Sequence, residues 1–186
     1  MARPILFASL FAAGFLLVGS FTVHAKSLTE RLLDVNAPEY NEALNEMENL
    51  TPKAKRTLVA NLTRIVKSER PDEQRANAVS ALGDIAREVP EAIPVLFEAV
   101  RDKYAPIRQA AVAGLGRSDP TVDGVIYALT RATRDRNKTV RAAAASNLGR
   151  HGAAAKTALP ALKKLLADED EAIREIAKTA IGQVGG

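Results

Sequence analysis

The chain has 186 residues, 47% of them apolar and 26% charged, with 26 lysines and arginines against 22 aspartates and glutamates. It has no cysteine, no tryptophan and two histidines, which excludes a disulfide framework, a thiolate metal site, a cysteine nucleophile and an extended aromatic stacking platform. So high an apolar fraction is far from the disordered limit, and a chain of this length can bury one substantial core.

Residues 1–25 contain no acid and a single base, Arg3, followed by an uncharged run over residues 4–25 rich in Phe, Leu, Val and Ala. The run closes on Val23-His24-Ala25, small or branched residues at the −3 and −1 positions of a signal-peptidase site. Residues 1–25 therefore read as a signal peptide, and the body of the protein is expected to be exported, periplasmic or secreted, beginning at Lys26. The alternative is a retained anchor over residues 4–25, because the run is nearly long enough to span a bilayer. Membrane contact is expected only if that segment is retained. Placement outside the cytoplasm argues against nucleic acid as a partner.

Residues 26–73 read as an atypical helical cap. Ser27 with Glu30 forms a capping box ahead of a helix to about residue 34. Residues 38–50 suit a second helix with an acidic outer side (Glu39, Glu42, Glu46, Glu48). Thr51-Pro52 opens a third, with Leu58, Leu62, Ile65 and Val66 as its buried stripe.

Beyond residue 73 a 33-residue register takes over. Arg75, Arg108, Arg141 and Arg174 form one column; Gly83, Gly116, Gly149 and Gly182 a second; Asp102, Asp135 and Asp168 a third. Alanine and leucine columns run beside them (Ala78, Ala111, Ala144, Ala177; Leu82, Leu115, Leu148 with Ile181). The units are 74–106, 107–139, 140–172 and a partial 173–186. Within each, apolar residues recur at i, i+4 and i+8, as in Ile107, Ala111 and Leu115, which is one face of a helix. A second helix follows each glycine, with stripes Ile93/Leu96/Val100, Ile126/Leu129/Thr133 and Leu159/Leu162/Leu166. Pro94 and Pro160 suit its first turn, and Asp119-Pro120 offers an N-cap and N1 pair in the middle unit. Nothing alternates with period two. The chain is expected to be all-α.

Residues 107–116 (Ile-Arg-Gln-Ala-Ala-Val-Ala-Gly-Leu-Gly) and 140–149 (Val-Arg-Ala-Ala-Ala-Ala-Ser-Asn-Leu-Gly) resemble the first helix of short HEAT-like repeats, the kind also found in phycobilin lyase-like proteins. Ala-Leu-Pro-Ala-Leu at 158–162 resembles the start of their second helix. The resemblance covers roughly residues 74–186. It implies a right-handed α-solenoid of antiparallel helix pairs, with the second helices lining a concave face. It also leaves an enzymatic alternative, a lyase-type enzyme or enzyme subunit.

The Asp and Arg columns read as a stacking ladder rather than as acid–base chemistry, since a catalytic site is local and a stacking contact repeats. The glycine column reads as close approach where one helix turns into the next. His151, the one imidazole after residue 25, sits at a helix end and reads as a carbonyl cap. Asn49, Asn61 and Asn137 each begin an Asn-x-Thr triplet, read as incidental. No catalytic, metal or cofactor constellation is found, so none is expected.

Charge is what stands out from the repeat pattern. Residues 117–150 hold seven bases against three acids. Arg131 and Arg134 lie one turn apart, away from the Ile126/Leu129/Thr133 stripe, and Arg101, Lys163 and Lys164 fall at or near matching positions; Tyr127, on the same second helix, is taken with them. These six are the candidate partner-binding residues, forming either a basic band for an acidic protein or an ordinary solvated face. The function expected is a non-catalytic protein-binding scaffold, with an envelope protein on anionic lipid as another alternative. The final helix, with Ile176 and Ala180 expected bare and no cap beyond it, suggests self-association there.

Overall fold

A computed structural model describes residues 26–185. The signal peptide read over residues 1–25 lies outside the described residues. Ten α-helices follow one another: α1 (Leu28–Arg31), α2 (Tyr40–Glu48), α3 (Pro52–Val66), α4 (Asp72–Ile85), α5 (Ile93–Ala99), α6 (Ala105–Arg117), α7 (Val125–Ala132), α8 (Lys138–Arg150), α9 (Leu159–Lys164) and α10 (Glu171–Gly185). No strand occurs among the described residues, and no helix there is long and apolar enough to cross a membrane.

The helix starts follow capping chemistry. Ser27 Oγ accepts from the Glu30 amide and Thr51 Oγ1 from that of Ala54. The reciprocal half of the Ser27 capping box is replaced, because the Glu30 carboxylate takes two hydrogen bonds from Arg70 instead. α1 is one turn long and ends at Arg31. Pro94 and Pro160 stand in the first turns of α5 and α9, where a missing N–H is harmless. Asp119-Pro120 does not start a helix. Asp119 Oδ1 accepts from both the amide and the hydroxyl of Thr121, closing a local turn. The helix waits until Val125, after Gly124 in the left-handed region at φ 89°.

The longer helices stack in sequence. α3 packs on α4, α4 on α6, α6 on α8 and α8 on α10, while α5 lies against α4 and α6, and α7 against α6 and α8. One continuous core runs through the whole stack, including Leu62, Leu82, Leu96, Ile107, Leu115, Leu129, Leu148, Leu162 and Ile173. The architecture is an α-solenoid. In the third unit the second helix tightens to 3-10 turns on both sides of α9. A three-residue period then aligns Leu165 with Leu162, so Leu165 is buried and Leu166, expected on the buried stripe, is 41% exposed.

The glycine column sits inside α4, α6, α8 and α10 and makes room for the next unit's first helix, not for the turn within a unit. A Cβ on Gly83 would lie 2.6 Å from Gly114 Cα, and one on Gly149 would lie 3.0 Å from Ala180 Cα. Gly116 faces the Asn147 side chain in the same way. Gly182 meets nothing within 4 Å among the described residues.

The Arg and Asp columns form a ladder with a different span from the six-residue one in the sequence. Each Asp carboxylate is bound by the arginine that opens its own unit, 27 residues upstream: Arg75 to Asp102 at 2.6 Å, Arg108 to Asp135 through two bonds at 2.7 Å, and Arg141 to Asp168 at 2.8 and 2.9 Å. The Asp six residues upstream offers its backbone carbonyl instead, as Asp102 does to Arg108 and Asp135 to Arg141. Arg108 and Arg141 thus each tie the turn before their own helix to the equivalent turn one unit on. Arg174 donates to the Asp168 and Glu169 carbonyls and has no carboxylate partner among the described residues.

The last helix also corrects an expectation. Ala180 is 1% exposed under Gly149, and Ile176 packs partly against the core, so neither is bare. The outward face of α10 is polar. The column Val79, Val112, Ala145, whose members are fully buried, continues as exposed Lys178, paired with Glu175 at 2.6 Å. The bare apolar patch expected at Ile176 and Ala180 as the ground for self-association is therefore not found there.

Candidate functional site

A groove of about 680 Å³ opens between α5 and α7. Its apolar lining is Phe97 and Val100 from one side and Tyr127, Ala128 and Ala132 from the other. Phe97 lies against Gly124, whose absent side chain lets the ring approach: a Cβ there would be 3.3 Å from the ring edge. Tyr127 is 65% exposed, one of the few large apolar side chains left in solvent.

The charged lining comes from two equivalent turns. After α5 the chain reads Arg101-Asp102-Lys103, and after α7 it reads Arg134-Asp135-Arg136. In each, the ladder aspartate also accepts the backbone amide two residues on, Tyr104 or Asn137 at 2.8 Å, and this tight turn throws the flanking cations outward. Arg136 donates to the Lys103 carbonyl at 3.0 Å, holding the two turns side by side. With Arg131 from the last turn of α7, five exposed cations gather at one end of the groove. The two carboxylates there are already engaged, Asp102 by Arg75 and Asp135 by Arg108. Burial alone would raise the Asp135 carboxyl, but hydrogen bonds from Arg108 and the Asn137 amide outweigh it and hold it below the ordinary carboxylate value. It therefore stays charged and committed to the ladder. Arg101, Lys103, Arg131, Arg134 and Arg136 make no ion pair among the described residues.

Of the six candidate partner-binding residues, the structure brings four together here: Arg101, Tyr127, Arg131 and Arg134. Lys163 and Lys164 are exposed on α9, in the following unit, and do not line the groove. Lys103, Arg136, Phe97 and Gly124 were not among the candidates. The basic-Asp-basic triplet at register-equivalent positions is the signal for the first two. It lapses in the third unit, which reads Ala167-Asp168-Glu169.

His151 is half-buried. Burial, then the Arg150 charge, press its pKa below that of ordinary imidazole, while the Leu115 backbone opposes the shift. Its Nε2 is buried without a hydrogen-bond partner.

This geometry can be set beside known proteins. The pattern of HEAT repeats matches residues 26–116, 58–149 and 126–186. The chain belongs to the HEAT-repeat family. The matches run through residues 26–73 as well as through the clear 33-residue register. No curated protein matches it in sequence. Among solved structures it is similar to a designed armadillo-repeat protein in complex with the peptide (KR)4, at 20% identity and a TM-score of 0.55, covering 84% of this chain and 81% of that one. It is likewise similar to the complex of CpcE and CpcF of phycocyanin lyase from Nostoc sp., at 20% identity and a TM-score of 0.54, covering 76% and 97%. An engineered protein gives 20% identity and a TM-score of 0.52 over 86% and 79%. At that identity the peptide and the lyase subunits are facts about those proteins, and the likeness carries the fold.

Proposed function

We propose that this HEAT-repeat protein is an exported, non-catalytic module that captures an acidic segment of a partner protein in the groove between α5 and α7. The observation that carries the reading is the cluster of five cations at one end of the groove with no carboxylate left to answer them. The ladder arginines Arg75, Arg108 and Arg141 each hold an aspartate. These five exposed cations hold none, which leaves them open to a counter-charge from outside. Like-charged groups held together repel one another, and an acidic ligand relieves that repulsion while steering its own approach. The apolar lining beside them gives such a ligand something to bury.

The test is covalent crosslinking and pull-down from envelope extract, comparing the protein with its Arg131→Glu/Arg134→Glu double variant. Capture should fall with added salt and be lost in the variant, while far-UV circular dichroism stays unchanged. Flotation with anionic liposomes that is equally charge-dependent, without protein capture, would replace this reading by lipid binding. Export is tested by intact mass. A chain beginning at Lys26 is expected, and retention of residues 1–25 would establish the anchor instead.

A further inference from the structure

The groove is polarised along its length, and the following inference rests on the groove being the partner site. One end is apolar, where Phe97 lies against Gly124 at the start of α7 with Tyr127 exposed beside it. The other end is cationic, where the Arg136 bond to the Lys103 carbonyl brings the two basic turns together. Between them runs α7, whose rise of 1.5 Å per residue puts Arg131 about 6 Å along the axis from Tyr127; the tight turn after the helix, closed by the Arg134 amide on the Arg131 carbonyl, carries Arg134 to about 10 Å at a rise of about 1.5–2 Å per residue. An extended chain advances about 3.3 Å per residue, so those distances are two and three residues. Alternate side chains of an extended chain point to opposite sides, and the groove has cations on both of its walls, Arg101 and Lys103 on one and Arg131, Arg134 and Arg136 on the other.

We propose that the groove recognises a short extended peptide segment bearing a bulky apolar side chain, seated on Phe97 and Tyr127, with carboxylates two and three residues away that meet the cations at the Arg131–Arg134 end. Extended rather than helical binding follows from the cations on both walls, because alternate side chains of an extended chain reach both sides whereas one face of a helix serves one wall. The ladder contributes indirectly: with Asp102 and Asp135 held by Arg75 and Arg108, the groove's own carboxylates do not compete for its cations.

The experiment is fluorescence anisotropy of the purified protein with labelled peptides of one composition and three arrangements. The first has phenylalanine two and three residues from a glutamate pair, made in both chain directions. The second has the phenylalanine moved seven residues away. The third has the acids at i+4 and i+7 in a helix-stabilised peptide. The matched spacing in one direction should bind about tenfold tighter than the displaced one, the difference being burial of the aromatic anchor. Tyr127→Ala should remove that advantage and leave the salt dependence intact, and Arg131→Gln/Arg134→Gln should flatten the salt dependence. Equal affinity for matched and displaced peptides, or preference for the helix-spaced one, overturns the spacing inference. Salt-sensitive crosslinked capture would still stand in that case. Loss of that capture, by contrast, would remove the groove reading itself.

Discussion

Replacing Gly83 and Gly182 by alanine makes the same chemical change at equivalent register positions, yet the structure gives the two opposite signs. In a helix interior alanine is favoured over glycine by up to about 1 kcal/mol. At Gly182 nothing lies within 4 Å of the new methyl group, so the gain is kept, and Gly182→Ala should raise the melting temperature by about 1–4 °C. At Gly83 the methyl would lie 2.6 Å from the backbone of Gly114, in the contact between α4 and α6. A comfortable carbon–carbon separation is about 3.5–4.0 Å, so the two helices must part by about 1 Å. No side-chain rotation can relieve a clash with a Cα atom. Overpacking of this kind costs about 1–3 kcal/mol, and the upper half of that range applies because two backbones must move. After the helix-propensity gain, Gly83→Ala should destabilise by about 1–2 kcal/mol, lowering the melting temperature by about 2–8 °C. Thermal unfolding followed at 222 nm on both variants decides it. A Gly83→Ala protein that melts at or above the parent temperature would refute the close approach of α4 and α6.

Arg141→Ala should cost about 2–4 kcal/mol, at or below the range for breaking a fully buried pair, because it strands the Asp168 carboxylate, 7% exposed, and frees the Asp135 carbonyl; urea unfolding measures it, and a loss under 1 kcal/mol would make the ladder ornamental. Acid should destabilise the protein in two steps. The folded pKa of His151 lies below its ordinary 6.5, so its contribution is present above that value and lost as pH falls through the folded one. Asp135 and Asp168, both held below their ordinary 3.8, behave likewise in the lower window. His151→Ala should abolish the first step alone in melts taken from pH 8 to 3. Finally, Glu175→Ala with Lys178→Val restores on α10 the apolar column of Val79, Val112 and Ala145, and concentration-dependent association in sedimentation velocity should appear where the parent protein shows none through that face.

Periodicity carried most of the architecture. Columns such as Arg75/Arg108/Arg141 and Gly83/Gly116/Gly149 recur because each unit buries the same face against its neighbours, so the demand for small residues, apolar residues and paired charges repeats along the chain with the period of the stack. That is why an all-α solenoid was legible in the sequence, and why the Arg and Asp columns read as a stacking ladder. The candidate site was half legible. Arg101, Tyr127, Arg131 and Arg134 stood out as departures from the pattern, and the structure places them in one groove.

What periodicity could not supply is which partner each repeated residue chooses. Asp102 stands six residues from Arg108 and twenty-seven from Arg75, and only the stacking distance decides that its carboxylate faces Arg75 while its carbonyl faces Arg108. The same holds at the ends of the stack. Gly182 is written as its predecessors are, but with no helix beyond it among the described residues its open space means nothing for packing. Ile176 and Ala180 looked bare along the chain, yet α8 and its neighbours cover them. Lys163 and Lys164 matched the basic band in register, yet α9 holds them outside the groove. Sequence spacing determines which residues share a helix face and how often the face recurs. Only the packed structure decides what that face meets, because contacts between units depend on helix separations of a few ångströms that a linear register does not contain.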